Sequence, residues 1–285
     1  MIKKVAILGM GRMGQAIARR FLDVGFEVSV YNRTKNRSMD LERIGVRIAN
    51  EPCDAVYKGG LVLSALSTAD AVHNLCSGPN GILEVLDDGV HLGLSTISPD
   101  AALRIENLHT NNNSRYISVP VQGRPVMAEK GQLIAWVSGK GFNEVERSVV
   151  DVIACKTIYL GENVCDAPVA KLALNMLMYS NVEIFCEAIA YISRRGLSRD
   201  LFLNGLIDTA FSAPLFRGIV SGILDPDDNA KGSDINISRK DLTLLVSDLK
   251  GIDLPIVRAM ESIYAKAEEN GLGNLDPIAI RRLFS

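Results

Sequence analysis

Lys171 and Asn175 are the two residues whose types and spacing most directly suggest chemistry. They stand four positions apart in the apolar segment 167–193, so a helix there would place both side chains on one face. A lysine can donate a proton to a carbonyl oxygen, and an amide beside it can hold the molecule that carries this carbonyl. The alternative is a solvated lysine with an incidental neighbour, and the rest of the chain must decide between the two.

The N-terminus carries a nucleotide-binding motif. An apolar run at residues 4–8 is followed by Gly9-Met10-Gly11-Arg12-Met13-Gly14, by a helical pattern up to residue 24, and by a second apolar run at 26–31. A G-x-G-x-x-G sequence between a strand and a helix is typical of dinucleotide binding. Its glycines permit a tight turn, let the backbone approach the pyrophosphate, and let helix and strand pack closely. We therefore predict that residues 9–14 bind a dinucleotide.

The end of the second predicted strand indicates which dinucleotide is bound. Asn32, Arg33 and Thr34 stand where an acidic residue would bind the adenosine ribose hydroxyls, and Lys35 and Arg37 follow. A guanidinium pairs with a 2′-phosphate, which NADP carries and NAD lacks. We expect NADP(H) to be preferred, with NAD(H) as the alternative if Arg33 is only a surface charge.

The first part of the chain alternates strand and helix patterns, with further strands predicted at 61–66, 89–94, 116–119 and 132–137. This order predicts a mostly parallel, doubly wound sheet, that is, an α/β Rossmann domain over residues 1–163. Ligands of such sheets lie at the carboxyl ends of the strands. Polar residues that follow strands could therefore either bind a ligand or cap a helix; these are Ser67, Thr68, Ser95 and Thr96.

The second part of the chain is predicted to be helical. A long interdomain helix should run from Asp166 to about Arg194, and further helices are expected at 199–208, 213–221, 237–250 and 255–270. We assign residues 164–285 to an all-α domain. A helical domain with one long apolar helix often needs a partner to cover it, so we expect a homodimer formed through this domain.

Composition excludes several other classes. Hydrophobic residues make up 47% and charged residues 22%, and the net charge is −2, which gives no reason to expect nucleic acid or membrane as a partner. Charges interrupt the long apolar segment, which favours a buried helix over a membrane span. The five cysteines are scattered and indicate neither a zinc site nor disulfides, so we predict no metal and a cytoplasmic location. We interpret the three histidines, which lie in no motif, as surface or loop residues; these are His73, His91 and His109.

Five segments, taken in order, carry a resemblance to a known family. The chain resembles the β-hydroxyacid dehydrogenases, which include 3-hydroxyisobutyrate dehydrogenases, tartronate semialdehyde reductases and glyoxylate/succinic semialdehyde reductases. The matching motifs are G-x-G-x-M-G at 9–14, N-R-T at 32–34, S-T-[IV]-x-P at 95–99, A-K-x-x-x-N at 170–175 and K-D-L at 240–242. The family's fold, a Rossmann domain followed by an all-α domain, agrees with the pattern of elements.

The resemblance implies roles for individual residues. Lys171 corresponds to the family's catalytic lysine, and Asn175 would support both the substrate and the lysine. Ser95 and Thr96 would face the nicotinamide and the substrate carboxylate, and Lys240 would close over the cofactor. Ser67 is also expected at the cofactor, because it follows a predicted strand and not because of the resemblance.

One segment departs from the family pattern. The substrate loop commonly reads P-V-S-G-G or P-V-S-G-S in the family, whereas here Gln122-Gly123-Arg124 follows Pro120-Val121. Gly123 could still offer its backbone N–H to a carboxylate, and Arg124 adds a guanidinium suited to a larger anion. We expect these three residues to bind the substrate and to select a different substrate from those of other family members.

The predicted function is an NADP(H)-dependent oxidoreductase that transfers hydride between nicotinamide and a small β-hydroxyacid, oxo-acid or semialdehyde. Lys171 would be the general acid or base, with a pKa below the reference value of about 10.4 because it is partly desolvated and close to a cationic nicotinamide. Two alternatives remain. Imine reductases share the fold but usually carry Asp or Tyr where Lys171 stands, and a non-catalytic NADPH-binding protein could retain the glycine motif alone.

Overall fold

The computed structural model describes residues 4–34, 38–230 and 232–284, and for Met39 only the backbone. Lys35 and Arg37, expected near the adenosine end of the cofactor, lie outside the described residues. The chain forms two compact units, Met1–Lys171 and Leu172–Ser285. The boundary predicted after residue 163 stays a prediction.

The first unit contains a nine-stranded sheet. Six parallel strands run in the order β3-β2-β1-β4-β5-β6, which is the usual order of a dinucleotide-binding sheet. β8 then pairs antiparallel with β6 and β7, and β9 pairs parallel with β8. The strands are β1 Lys4–Leu8, β2 Glu27–Tyr31, β3 Arg47–Ile48, β4 Leu61–Ser64, β5 Val90–Gly93, β6 Arg115–Ser118, β7 Val121–Gln122, β8 Leu133–Ser138 and β9 Ala154–Gly161.

Helices cover both faces of this sheet. Alternate residues of each strand point to opposite faces, so Val5 and Ile7 join one apolar cluster while Ala6 and Leu8 join the other. The first cluster includes residues of α1, α6 and α7, and the second includes residues of α3, α4 and α5. The helices are α1 Arg12–Asp23, α2 Met39–Glu42, α3 Pro52–Ala55, α4 Ala69–Ser77, α5 Pro99–Asn111, α6 Pro125–Glu129 and α7 Glu144–Ile153. The predicted doubly wound α/β fold is confirmed.

The second unit is helical, as predicted. Its described part consists of helices with one isolated bridge between Asn229 and Leu275. The boundary between the two units falls within α8, after Lys171. The helices are α8 Asp166–Arg194, α9 Arg199–Leu206, α10 Pro214–Leu224, α11 Ile235–Ser247 and α12 Pro255–Glu269, followed by a 3-10 helix at Pro277–Leu283.

The length of α8 follows from its sequence. Pro168 stands in the first turn, where a missing N–H costs little, and Gly196 adopts a positive φ of 78° just after the helix ends. Its 29 residues span about 40 Å. Among the described residues, no helix is both long enough and apolar enough to cross a bilayer.

Candidate functional site

At two positions of the loop between β1 and α1, only glycine fits the backbone and its surroundings. Gly9 has a φ of +99°, and a Cβ there would lie 2.5 Å from the Ala65 carbonyl oxygen. A Cβ at Gly14 would lie 1.8 Å from the Gly9 carbonyl oxygen. Both distances are far below van der Waals contact, so these two glycines allow the strand, the loop and the helix to pack together.

Gly11 differs from its two neighbours in the motif. It is the N-cap of α1, it has no side chain to cap the helix, and no atom lies within 4 Å of the position its Cβ would occupy. Protein packing therefore does not explain a glycine here. Open space beside the N–H groups and partial positive charge of a helix N-terminus suits a phosphate, so the loop fits the pyrophosphate of a dinucleotide.

Asn32 holds the glycine loop against the end of β2. Its Oδ1 accepts a hydrogen bond from the Met10 backbone N–H at 2.9 Å, and its Nδ2 donates to the Thr34 carbonyl oxygen at 2.8 Å. The Met10 side chain is fully buried in the core and that of Met13 packs against it, so at Met10 only the backbone can approach a ligand. Arg12, Arg33 and Thr34, by contrast, are exposed.

The loops that follow β4 and β5 are joined by a serine. Ser95 is buried, and its Oγ accepts a hydrogen bond from the Leu66 backbone N–H at 2.9 Å. Thr68 caps α4 by accepting from the Ala71 N–H at 3.2 Å. Ser67 is exposed and Thr96 is half-buried. Of these hydroxyls, those of Ser95 and Thr68 thus have structural roles that do not depend on a ligand.

The loop that differs from the family pattern, Gln122-Gly123-Arg124, begins in β7 at the edge of the sheet. Gln122 pairs with Ile134 of β8 and is half-buried. Gly123 has a φ of +136°, and a Cβ there would lie 2.6 Å from Leu133 Cδ2, so glycine is required. Arg124 is the exposed N-cap of α6. Within residues 4–34, 38–230 and 232–284, its guanidinium has no ion-pair partner.

On α8, Lys171 and Asn175 are both buried, with 8% and 3% of their surface exposed. Asn175 Nδ2 donates a hydrogen bond to Asp241 Oδ2 at 2.7 Å, and the Tyr179 hydroxyl donates to the same oxygen at 3.2 Å. Lys240 Nζ lies 2.8 Å from Asp241 Oδ1, in an ion pair that is not an aligned hydrogen bond. Asp241 of α11 thus organises the polar face of α8 that follows Lys171.

Asp241 is a candidate site residue that the sequence alone did not identify. It stood inside the K-D-L motif, but nothing local indicates that it meets residues more than sixty positions away. Burial and the charge of Asp241 raise the pKa of Tyr179, so the tyrosine remains a hydrogen-bond donor. The amide of Asn175, held through one N–H, keeps its oxygen as an acceptor.

The interpretation of the histidines as surface or loop residues is wrong for two of the three. His91 lies on β5 and His109 on α5, and both are fully buried, while His73 is exposed. The sequence misled because a single histidine in a strand or helix has no local signal that distinguishes a buried position from an exposed one.

Comparisons with known proteins cover nearly the whole chain. Residues 4–161 match the NAD-binding domain of 6-phosphogluconate dehydrogenase, and residues 166–284 match the NAD-binding domain of NADP-dependent 3-hydroxyisobutyrate dehydrogenase. Glyoxylate/succinic semialdehyde reductase 1 of Arabidopsis thaliana is 30% identical over 281 residues, which cover 97% of this chain and 96% of that protein.

Two solved structures share the fold to different degrees. A 3-hydroxyisobutyrate dehydrogenase from Salmonella typhimurium superimposes with a TM-score of 0.87 at 22% identity, over 98% of this chain and 99% of that one. A reductive aminase from Aspergillus terreus, solved with NADPH and ethyl levulinate, has a TM-score of 0.67 at 24% identity, over 100% of both chains.

Proposed function

The chain belongs to the 3-hydroxyisobutyrate dehydrogenase family of NAD(P)-binding oxidoreductases, and from this premise we propose that it interconverts a small β-hydroxyacid and the corresponding oxo-acid or semialdehyde with NADP(H). The observation that carries the proposal is the buried Lys171, one helical turn before an Asn175 that Asp241 holds in place. A buried lysine followed by a fixed amide is suited to proton transfer at a carbonyl oxygen.

The proposed mechanism assigns the proton to Lys171. When bound, the nicotinamide supplies hydride to a carbonyl carbon or accepts it from a carbinol carbon. In reduction, Lys171 as ammonium polarises the carbonyl oxygen and donates its proton to the developing alkoxide. In oxidation, neutral Lys171 takes the hydroxyl proton. Asn175, held through its Nδ2, offers its amide oxygen to orient the lysine or the substrate hydroxyl.

The preference for NADP(H) over NAD(H) is supported by the end of β2. Arg33 is exposed there, and residues 32–34 include no carboxylate that could bind ribose hydroxyls. We expect Arg33→Ala to raise the KM for NADPH about 10- to 100-fold, which is the loss expected when one hydrogen bond to a charged group is removed. The KM for NADH should change little. A wild-type enzyme that uses NADH better than NADPH would refute this preference.

The substrate class is proposed from the loop at residues 122–124. The exposed guanidinium of Arg124 and the backbone N–H of Gly123 suit a carboxylate. A screen of NADPH oxidation with glyoxylate, succinic semialdehyde, other small oxo-acids and cyclic imines tests this class. Turnover restricted to the carbonyl acids supports the proposal, and turnover restricted to imines overturns it in favour of the imine reductase alternative.

A homodimer is proposed from the surface of α8. Leu177, Ile184 and Tyr191 are spaced seven residues apart, so they lie on one face of the helix, and they are 55%, 60% and 70% exposed. A stripe of large apolar side chains on a helix surface is typical of a partner interface. Light scattering should give the mass of two chains for the wild type and of one chain for Ile184→Glu. Exposed Glu187→Gln on the same helix is the control, and a monomeric wild type would contradict the proposal.

A further inference from the structure

A compact group of three side chains, none of which was assigned to the cofactor or the substrate, lies in the apolar core of the first unit. Cys76 of α4, His91 of β5 and His109 of α5 are 1%, 0% and 0% exposed. The strand register places His91 in one row between Val62 of β4 and Tyr116 of β6, both members of the apolar cluster on that face. Burial of two imidazoles and a thiol among apolar side chains is costly unless they have partners.

The three potential ligand atoms face one another. Cys76 Sγ lies 3.7 Å from His91 Nδ1 and 3.5 Å from His109 Nε2, and the two ring nitrogens are 3.0 Å apart. A point in the plane of these atoms is about 2 Å from each of them, close to the zinc–nitrogen distance of about 2.0–2.1 Å and the zinc–sulfur distance of about 2.3 Å. An ion slightly out of this plane would satisfy all three distances without movement of the backbone.

The outward-facing nitrogens of both rings are held by serines. His91 Nε2 lies 2.7 Å from Ser64 Oγ, and His109 Nδ1 lies 2.9 Å from Ser114 Oγ. Ser114 donates its own proton to the His109 carbonyl oxygen at 3.2 Å, so its Oγ accepts from His109 Nδ1–H. The lone pair of neutral His109 is therefore on Nε2, the nitrogen that faces the cysteine. Hydrogen-bonded outer nitrogens of this kind are the rule for histidines that bind metals.

The charge states are compatible with a metal ligand set. Burial lowers the pKa of His91 and lowers that of His109 to about 3, so both rings are uncharged at neutral pH and each has one unprotonated nitrogen. Metal binding requires this nitrogen to be Nδ1 in His91, with Nε2–H donating to Ser64 Oγ. Burial raises the pKa of Cys76 to about 12, so an ion that binds must displace the thiol proton to solvent.

We propose that Cys76, His91 and His109 bind one zinc ion, in a structural site that fastens α4 and α5 to β5. One thiolate and two imidazoles are donors that zinc accepts, and a buried water would complete the tetrahedron, because the group comprises three ligand atoms among the described residues. The site is buried and distinct from Lys171 and the glycine loop, so its role is stability. This proposal is independent of the proposed reaction, since it concerns a different set of side chains.

Metal analysis of the tag-free, full-length protein tests the proposal directly. After expression in zinc-supplemented medium and dialysis, we expect about one zinc ion per chain. Refolding with cobalt(II) in place of zinc should produce a thiolate-to-cobalt charge-transfer band, and refolding without metal should lower the Tm by about 5 °C or more. Protein with less than about a tenth of an ion per chain, no such band and an unchanged Tm would mean that the three groups form only a hydrogen-bonded cluster.

A matched pair of cysteine variants locates the ion. Cys76→Ser keeps the size of the side chain but removes the thiolate, so zinc content and the cobalt band should be lost. Cys155→Ser changes an exposed cysteine elsewhere in the same unit and should retain both. Equal zinc content in the two variants would overturn the assignment. If Cys76→Ser fails to fold, the zinc content and the cobalt band of the wild type still decide whether an ion binds, because they need no altered ligand, and the absence of both would overturn the proposal.

Discussion

The glycine loop of the first unit and the polar face of α8 are positioned by different means. The loop is fixed by its backbone: Gly9 and Gly14 fit where a Cβ would overlap a main-chain oxygen, and Gly11 leaves open space at the start of α1. The face of α8 is fixed by side chains, since Asn175 and Tyr179 both donate to an aspartate on another helix. The first arrangement is encoded within six residues, and the second is encoded across more than sixty.

This difference determines how each region responds to substitution. A backbone-defined loop depends on the absence of atoms, so adding one methyl group can disrupt it. A side-chain-defined face depends on charge and hydrogen bonding, so it should tolerate small changes in volume and respond to the loss of a charged acceptor. The glycine loop should therefore control cofactor affinity, and the α8 face should control turnover.

The largest effect is expected from Gly14→Ala. Its Cβ would meet the Gly9 carbonyl oxygen, so α1 must move, and we expect the Tm to fall by about 5 °C or more and NADPH binding to be lost. Gly11→Ala is the matched control for folding, because its Cβ meets no atom within 4 Å. Gly11→Ala should change the Tm by less than about 2 °C. It should weaken the binding of NADPH about tenfold or more, since the methyl group would occupy the space of the pyrophosphate. Thermal melts and fluorescence titration measure both, and unaltered NADPH affinity in Gly11→Ala would contradict the role given to the loop.

An intermediate effect is expected from Asp241→Asn. Asn175 then loses its charged acceptor and Lys240 its ion pair, so kcat should fall about 10- to 100-fold while the KM for NADPH changes much less. Tyr179→Phe removes only the longer of the two hydrogen bonds to Asp241 and should lower kcat by no more than about threefold. Steady-state kinetics with saturating NADPH give these values. A drop in cofactor affinity without a drop in kcat would break the distinction between the two regions.

The smallest effect concerns a buried carboxyl on α8 that lies outside the candidate site. Glu183 is 4% exposed, and neither of its oxygens has a hydrogen-bond partner among the described residues. Burial, with a contribution from Glu187, raises its pKa to about 7. The folded state therefore binds this proton more tightly than the unfolded state, and stability should decline as pH rises from about 4.5 through about 7. Glu183→Gln should raise the Tm by a few degrees at pH 8 and change it little at pH 4. A Tm difference that is the same at both pH values would contradict this assignment.

The sequence predicted the elements that carry a strong local pattern. Apolar runs or periodic apolar positions mark the elements that were predicted, because these elements bury apolar side chains in the core. They are the strands β1, β2, β4, β5, β6 and β8 and the long helix α8. β9 was missed because its apolar run is only three residues long, Ile158 to Leu160, and follows Lys156 and Thr157, and half of the strand is exposed. α7 was missed although a capping box between Asn143 and Glu146 marks its start.

The candidate site was predictable only in part, and for the same reason. The glycine motif and the spacing of Lys171 and Asn175 are local features of the sequence. In the structure, the motif forms the loop before α1, and the two residues lie one turn apart on α8. The organising role of Asp241 and the meeting of Cys76, His91 and His109 depend on the packing of separate elements. No spacing within one segment reports such contacts, which is why the histidines were misjudged.

The most direct test of the central claim is the turnover of Lys171→Ala with a carbonyl acid identified by the substrate screen. If Lys171 supplies the proton, kcat should fall about a hundredfold or more while the dissociation constant for NADPH stays unchanged. Lys171→Arg should also be poor, because a guanidinium does not release its proton at usable pH. Lys156→Ala, which changes an exposed lysine, should keep normal turnover. Near-normal kcat in Lys171→Ala would contradict the account.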